Sequence, residues 1–150
     1  MRKITTLLVG LMLFAASATA AAWTDNDERQ IDFKELPVAA QQFIKKHFAS
    51  EQVKMVILDK DVISNEYDIL FTSGTKVEFK GDGEWECVKS PAGDIPADLV
   101  PKKIASYVVK HYPTAKIVEL SRNRNEWEVE LNNGTELTFG SDFKLREIDD

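Results

Sequence analysis

The stretch Leu36-Pro37 … Phe43-Ile44-Lys45-Lys46-His47-Phe48 returns as Val100-Pro101 … Tyr107-Val108-Val109-Lys110-His111-Tyr112, and Glu66-Tyr67-Asp68-Ile69 … Gly74-Thr75 … Phe79 returns as Glu126-Trp127-Glu128-Val129 … Gly134-Thr135 … Phe139. The helical pieces are displaced by 64 positions and the strand pieces by 60, so four residues are lost between them in the second copy. The chain is a duplicated unit, and the hydrophobic period inside each copy says of what kind.

Leu36, Ala40, Phe43, Ile44 and His47 share one face of a helical period, and Val100, Ile104, Tyr107, Val108 and His111 repeat the spacing. Pro37 and Pro101 suit a first helical turn, where a missing N–H costs nothing, and Pro113 closes the second helix. Downstream the period becomes two. Tyr67, Ile69 and Phe71 alternate with Asp68, Leu70 and Thr72, as Trp127, Val129 and Leu131 do with Glu128, Glu130 and Asn132. Ser73-Gly74 and Asn133-Gly134 turn the hairpins, and Gly81-Asp82-Gly83 and Ser141-Asp142-Phe143 lead into further strands. Earlier strands fall at 54–58 and 116–120.

Each copy thus reads as one helix followed by four antiparallel strands. The fold class is α+β: a tandem repeat forming one eight-stranded sheet with both helices on one face. The two amphipathic helices are the elements available to cover the sheet's apolar side. Repeat one spans 34–90 and repeat two 95–150, joined by the turn-rich 91–96.

Arg2 and Lys3 precede an apolar run from Leu7 to Ala16, and Ala18-Thr19-Ala20 gives the small-x-small pattern of a signal peptidase site. Residues 1–20 read as a signal peptide cleaved after about Ala20, and 21–33 as a flexible polar leader before a domain over 34–150. The run is shorter than the ~20 apolar residues of a membrane span, so no anchor is expected. A bacterial periplasmic protein is the reading. Losing Arg2 and Lys3 moves the formal net charge from −6 to −8. So acidic a chain, with no basic stripe, is not built for nucleic acid. Cys87 stands alone, so stability rests on a packed core rather than an internal disulfide.

The Leu-Pro-led helix ending in Lys46-His47-Phe48 or Lys110-His111-Tyr112, the Ala115-Lys116-Ile117-Val118 strand and the hairpins from Tyr67 to Phe71, Gly74 to Phe79 and Gly81 to Trp85 resemble the PepSY-like periplasmic proteins. The resemblance covers 36–89 and 100–149. It implies a fold related to β-lactamase inhibitor protein, itself a tandem of helix-plus-four-strand units, and an inhibitor-like rather than catalytic role. That inhibitor is held by disulfides which a chain with one cysteine cannot make, so β-lactamase inhibition is not carried over.

No catalytic set emerges, and a non-enzyme is expected. His47 and His111 occupy last helical turns, where a histidine serves the helix dipole, and Cys87 alternates with Trp85 on the expected inner face. Lys80-Gly81-Asp82-Gly83-Glu84 resembles a fragment of a calcium loop. A plain hairpin turn is the favoured account; calcium held by Asp82 and Glu84 is the alternative.

The outward positions of the sheet differ between copies. Copy two offers Glu119, Glu128, Glu130, Asn132 and Glu136; copy one offers Ile57, Asp68, Leu70, Thr72 and Lys76, with Met55 and Val88 beside them. Contiguous exposed apolar surface marks interaction sites. The expected partner-binding surface is therefore Met55, Ile57, Asp68, Leu70, Val88, Glu128 and Glu130, on the face opposite the helices. It would engage another protein, a peptide or a second copy of the chain. The alternative function is a calcium- or small-ligand-responsive accessory protein.

Overall fold

The structure, a computed structural model, describes residues 28–60 and 63–150. The signal-peptide reading and most of the leader lie outside the described residues. Two helices, α1 (Val38–His47) and α2 (Lys102–His111), each follow a short 3-10 turn, Phe33–Glu35 and Ala97–Leu99. The strands are β1 (Arg29–Gln30), β2 (Val53–Lys60), β3 (Asn65–Phe71), β4 (Lys76–Lys80), β5 (Trp85–Lys89), β6 (Ile117–Arg122), β7 (Glu126–Leu131), β8 (Glu136–Gly140) and β9 (Leu145–Asp149). They form one sheet of nine strands in chain order, every neighbour antiparallel, rather than the eight expected.

The extra strand comes from the stretch read as leader. β1 sets Arg29 opposite Leu58 and Gln30 opposite Ile57, and the Ile31 N–H donates to the Val56 carbonyl at 3.0 Å. It occupies on β2 the place that β5 holds on β6, where Cys87 lies opposite Ser121. Two residues carry no hydrophobic period, so this strand is invisible to pattern reading.

Cross-strand pairing also fixes how the copies superpose. Ile57 faces Asp68 as Ser121 faces Glu128, and Met55 faces Leu70 as Glu119 faces Glu130. The counterpart of Glu119 is therefore Met55, and that of Ser121 is Ile57, two positions from the sequence pairing. The four missing residues belong to the β2–β3 connection.

Both helices press on one face. Leu36, Ala40, Ile44, Phe48, Ile104 and Val108 are buried with Ile69, Phe71, Val77, Phe79, Val129, Leu131, Leu137 and Phe139 in a single cluster. Phe43 and Tyr107 are half-buried, and each sets its ring edge-on to a core phenylalanine: Phe79 at 5.4 Å and Phe139 at 5.5 Å. Burial of such rings is the main stabilising contribution.

Bulges set which residues reach which face. On β4–β5, Phe79 pairs with Trp85 but Glu78 with Cys87, leaving Glu86 as the extra residue; β8–β9 repeats this with Arg146. An extra residue inverts the alternation beyond it. Val88, expected on the open face, is fully buried on the helix side opposite Val77 and Leu120. Cys87, expected inside, lies on the open side.

Candidate functional site: the open sheet face

Two cross-strand rows organise the face opposite the helices. The first runs Ile57, Asp68, Glu78, Cys87 through copy one and continues as Ser121, Glu128, Thr138, Glu147 in copy two. The second runs Met55, Leu70, Lys76, Lys89, then Glu119, Glu130, Glu136, Asp149. Met55, Ile57, Asp68, Leu70, Glu128 and Glu130 thus share this face, all half-buried, and Val88 leaves the set.

In copy one lysines pair with several of the acids. Lys76 Nζ lies 2.8 Å from Asp68 and 2.9 Å from Glu78, and Lys80 reaches Glu86 at 3.4 Å. Burial raises the Asp68 pKa, and a share of Lys76 offsets this only in part. Burial would lower Lys76, but its two carboxylates outweigh that and hold it above its ordinary value. These charges surround an uncharged patch of Met55, Ile57 and Leu70.

Copy two has Glu136 where copy one has Lys76. Glu130 therefore stands between Glu119 and Glu136 with no cation opposite it. Its pKa is raised by burial and then by those two neighbours, and that of Glu128 by burial, with a hydrogen bond from Ser121 opposing. Lys89, at 3.2 Å from Glu119, is the cation at the seam. Cys87 lies 3.4 Å from the same carboxylate; burial first, then Glu119, pushes its thiol far up, which keeps it protonated and a poor nucleophile.

The remaining candidates are structural in their contacts. Asp82 Oδ1 accepts the Glu84 N–H at 2.9 Å, and the counterpart Asp142 accepts the Lys144 N–H at 3.2 Å, so the turn uses the aspartate the same way where the second residue is a lysine. His47 packs its ring tilted against Phe43 with Nδ1 at 2.9 Å from Asp98, but no aligned hydrogen bond forms, while His111 is exposed and stacked on Tyr107. Among the described residues no group of three or more His, Cys, Asp or Glu is placed to hold a metal ion. None of the described helices is long and apolar enough to cross a membrane.

A duplicated helix-plus-meander with one face covered and the other open defines the class of protein. Residues 18–63 and 65–147 match the family described as "Putative beta-lactamase-inhibitor-like, PepSY-like", and the chain belongs to that family. Among solved structures it is similar to a "putative calcium-regulated periplasmic protein" of Bacteroides thetaiotaomicron, with 38% identity over 83% of this chain and 98% of the other at a TM-score of 0.80. A "putative periplasmic protein from DUF2874 family" of Bacteroides vulgatus matches at 37% identity and a TM-score of 0.78, over 83% of this chain and 98% of the other. A "putative periplasmic protein of unknown function" from Bacteroides vulgatus matches at 30% identity and a TM-score of 0.77, over 82% and 99%. No curated protein matches the chain.

Proposed function

We propose that the chain is a non-enzymatic periplasmic module that binds a protein or peptide, inhibitor-like in the sense of its family, through the open sheet face. The observation that carries this is the contrast within the second row. Met55 and Leu70 stand beside Ile57 as an uncharged patch, whereas the counterparts of Met55 and Leu70 are Glu119 and Glu130. Scaffolding does not require apolar residues there, since copy two forms the same strands without them. An apolar centre gives affinity by burial, and the flanking Asp68, Glu128 and Glu130 select the partner by charge. The N-terminal signal pattern and the periplasmic relatives support the location.

Immobilised protein and its Ile57→Lys, Leu70→Lys variant should be compared for capture from periplasmic extract, with light scattering on each to register self-association. The variant keeps its urea midpoint and loses the captured partner. Undiminished capture by a folded variant contradicts the reading.

A calcium response is the second reading. It is favoured by the run of adjacent carboxylates Glu119, Glu130 and Glu136, with Lys89 paired only to the first, and by the description of one relative as a "putative calcium-regulated periplasmic protein". Calcium that binds the native state raises Tm with dose. A flat Tm in millimolar calcium removes this reading, and loss of the rise in an Asp82→Asn, Glu84→Gln variant would assign it to the turn.

A further inference from the structure

On the helix side of the sheet, at the seam between the copies, the superposition exposes a residue out of character. Leu58 faces Tyr67 in copy one and is buried; its counterpart facing Trp127 is Arg122. The same scaffold position takes a leucine in one copy and a guanidinium in the other. The guanidinium carbon lies 4.4 Å over the Trp85 ring and 5.9 Å from the Trp127 ring, and Nε donates to the Trp85 carbonyl at 3.1 Å. Face and inner edge are thereby fixed. Among the described residues no carboxylate lies within ion-pair distance of Arg122 or Arg124, while Lys80 and Lys89 each have one and Lys76 has two.

We infer that Arg122 is the centre of a carboxylate-binding cleft formed where the two copies meet. The β4–β5 and β6–β7 turns close on a cleft of about 100 Å³ lined by Lys80, Glu84, Arg122, Asn123 and Arg124. Asn123 Oδ1 already accepts the Asn125 and Glu126 N–H groups, so its amide NH2 is what it can offer a ligand. The lining is thus rich in donors and positive charge within an acidic chain. A guanidinium held by its face and its Nε presents the terminal nitrogens as a fork, which matches the two oxygens of a carboxylate. Glu84 on the rim and the net negative charge disfavour a dianion, and the neighbouring indoles suit the apolar stem of a monoanion. Among the described residues the site arises once, since the far neighbour of Leu58 is Arg29 of the two-residue β1 rather than an indole.

The cleft lies at the turn end of the sheet and shares no lining residue with the proposed partner surface, so its test is independent of that reading. Titration of the protein with butyrate, with an acetylated alanine tripeptide bearing a free C-terminal carboxylate, and with that tripeptide's C-terminal amide is followed by the Arg122 Nε–Hε NMR signal and tryptophan emission. Saturable shifts are expected with the free acids and none with the amide. A response to the peptide acid alone places the carboxylate at a chain terminus; a response to butyrate as well extends the class to small acids. Arg122→Leu, which installs the residue copy one uses, keeps the fold and abolishes the response, and Arg122→Lys weakens it by roughly tenfold because the fork is gone. Arg124→Glu, at an exposed turn, weakens it without touching the core. No saturable shift in the parent protein, an unchanged response in folded Arg122→Leu, or tighter binding of inorganic phosphate than of the carboxylates would overturn the inference.

Discussion

The two copies share a core and differ on the surface that core does not use. Ile69, Phe71, Val77 and Phe79 correspond to Val129, Leu131, Leu137 and Phe139, all buried. On the open face, the row Met55, Leu70, Lys76, Lys89 corresponds to Glu119, Glu130, Glu136, Asp149: two apolar residues and two cations have become four acids. Where copy one pairs Lys80 with Glu86, copy two has Gly140, over which the Arg146 guanidinium lies so closely that a Cβ would sit 2.5 Å from its Nε. The helix-covered face answers to packing, which tolerates few solutions, whereas the open face was free to diverge. One scaffold thus carries two unlike surfaces side by side.

The largest effects should fall where the copies agree. Phe79→Ala and Phe139→Ala each remove a fully enclosed ring and should cost about 3–5 kcal/mol. Because β5 and β6 join the halves in one sheet, each variant should still unfold in a single urea transition seen equally by tryptophan fluorescence and circular dichroism. Two separable transitions would show that the copies are independent. A smaller break is expected at the turn under α1. Gly83 has φ +86° with its Cβ site 2.9 Å from Pro37, so Gly83→Ala should cost about 1–2 kcal/mol by urea titration. The corresponding Phe143 adopts φ +62° and packs its ring 6.0 Å from Trp127, so there the strain is offset by contact.

Charge changes test the divergence itself. Lys76→Glu gives copy one the pattern of copy two and strands Asp68 and Glu78 without their cation; a loss of about 1 kcal/mol is expected, and Glu136→Lys should give a gain of about half that. The smallest effect concerns pH. Glu128 and Glu130 have folded pKa values above their ordinary 4.5, so their contribution favours the fold below that value and is lost as pH rises through the raised values. Glu128→Gln with Glu130→Gln should therefore raise stability at neutral pH by about 0.5 kcal/mol or less, given their exposure, and leave it unchanged below pH 4. An equal gain at both pH values would mean that charge is not the cause.

The duplication, the helix faces and the hairpins were legible because each is written in a side-chain period. β1 was not, being too short to have one. The bulges at Glu86 and Arg146 were not, because an inserted backbone residue leaves no compositional mark, and reading straight through the first one exchanged Cys87 and Val88 between faces. The same limit hid Arg122. With β2 and β6 aligned two positions out of register, nothing marked it as the occupant of a leucine's place; the pairing of Tyr67 with Trp127, already visible in the hairpin repeat, was the signal that could have found it.

That copy one's half of the open face is the recognition surface is tested most directly by a photo-crosslinking residue placed at Ile57 and, in a second protein, at its counterpart Ser121, each irradiated in intact cells. Both sites are half-buried in the same cross-strand row, so they report from matched environments. Covalent adducts at position 57 and none at 121 are the predicted result. Adducts at 121 alone, or equally at both, would contradict the division of the face.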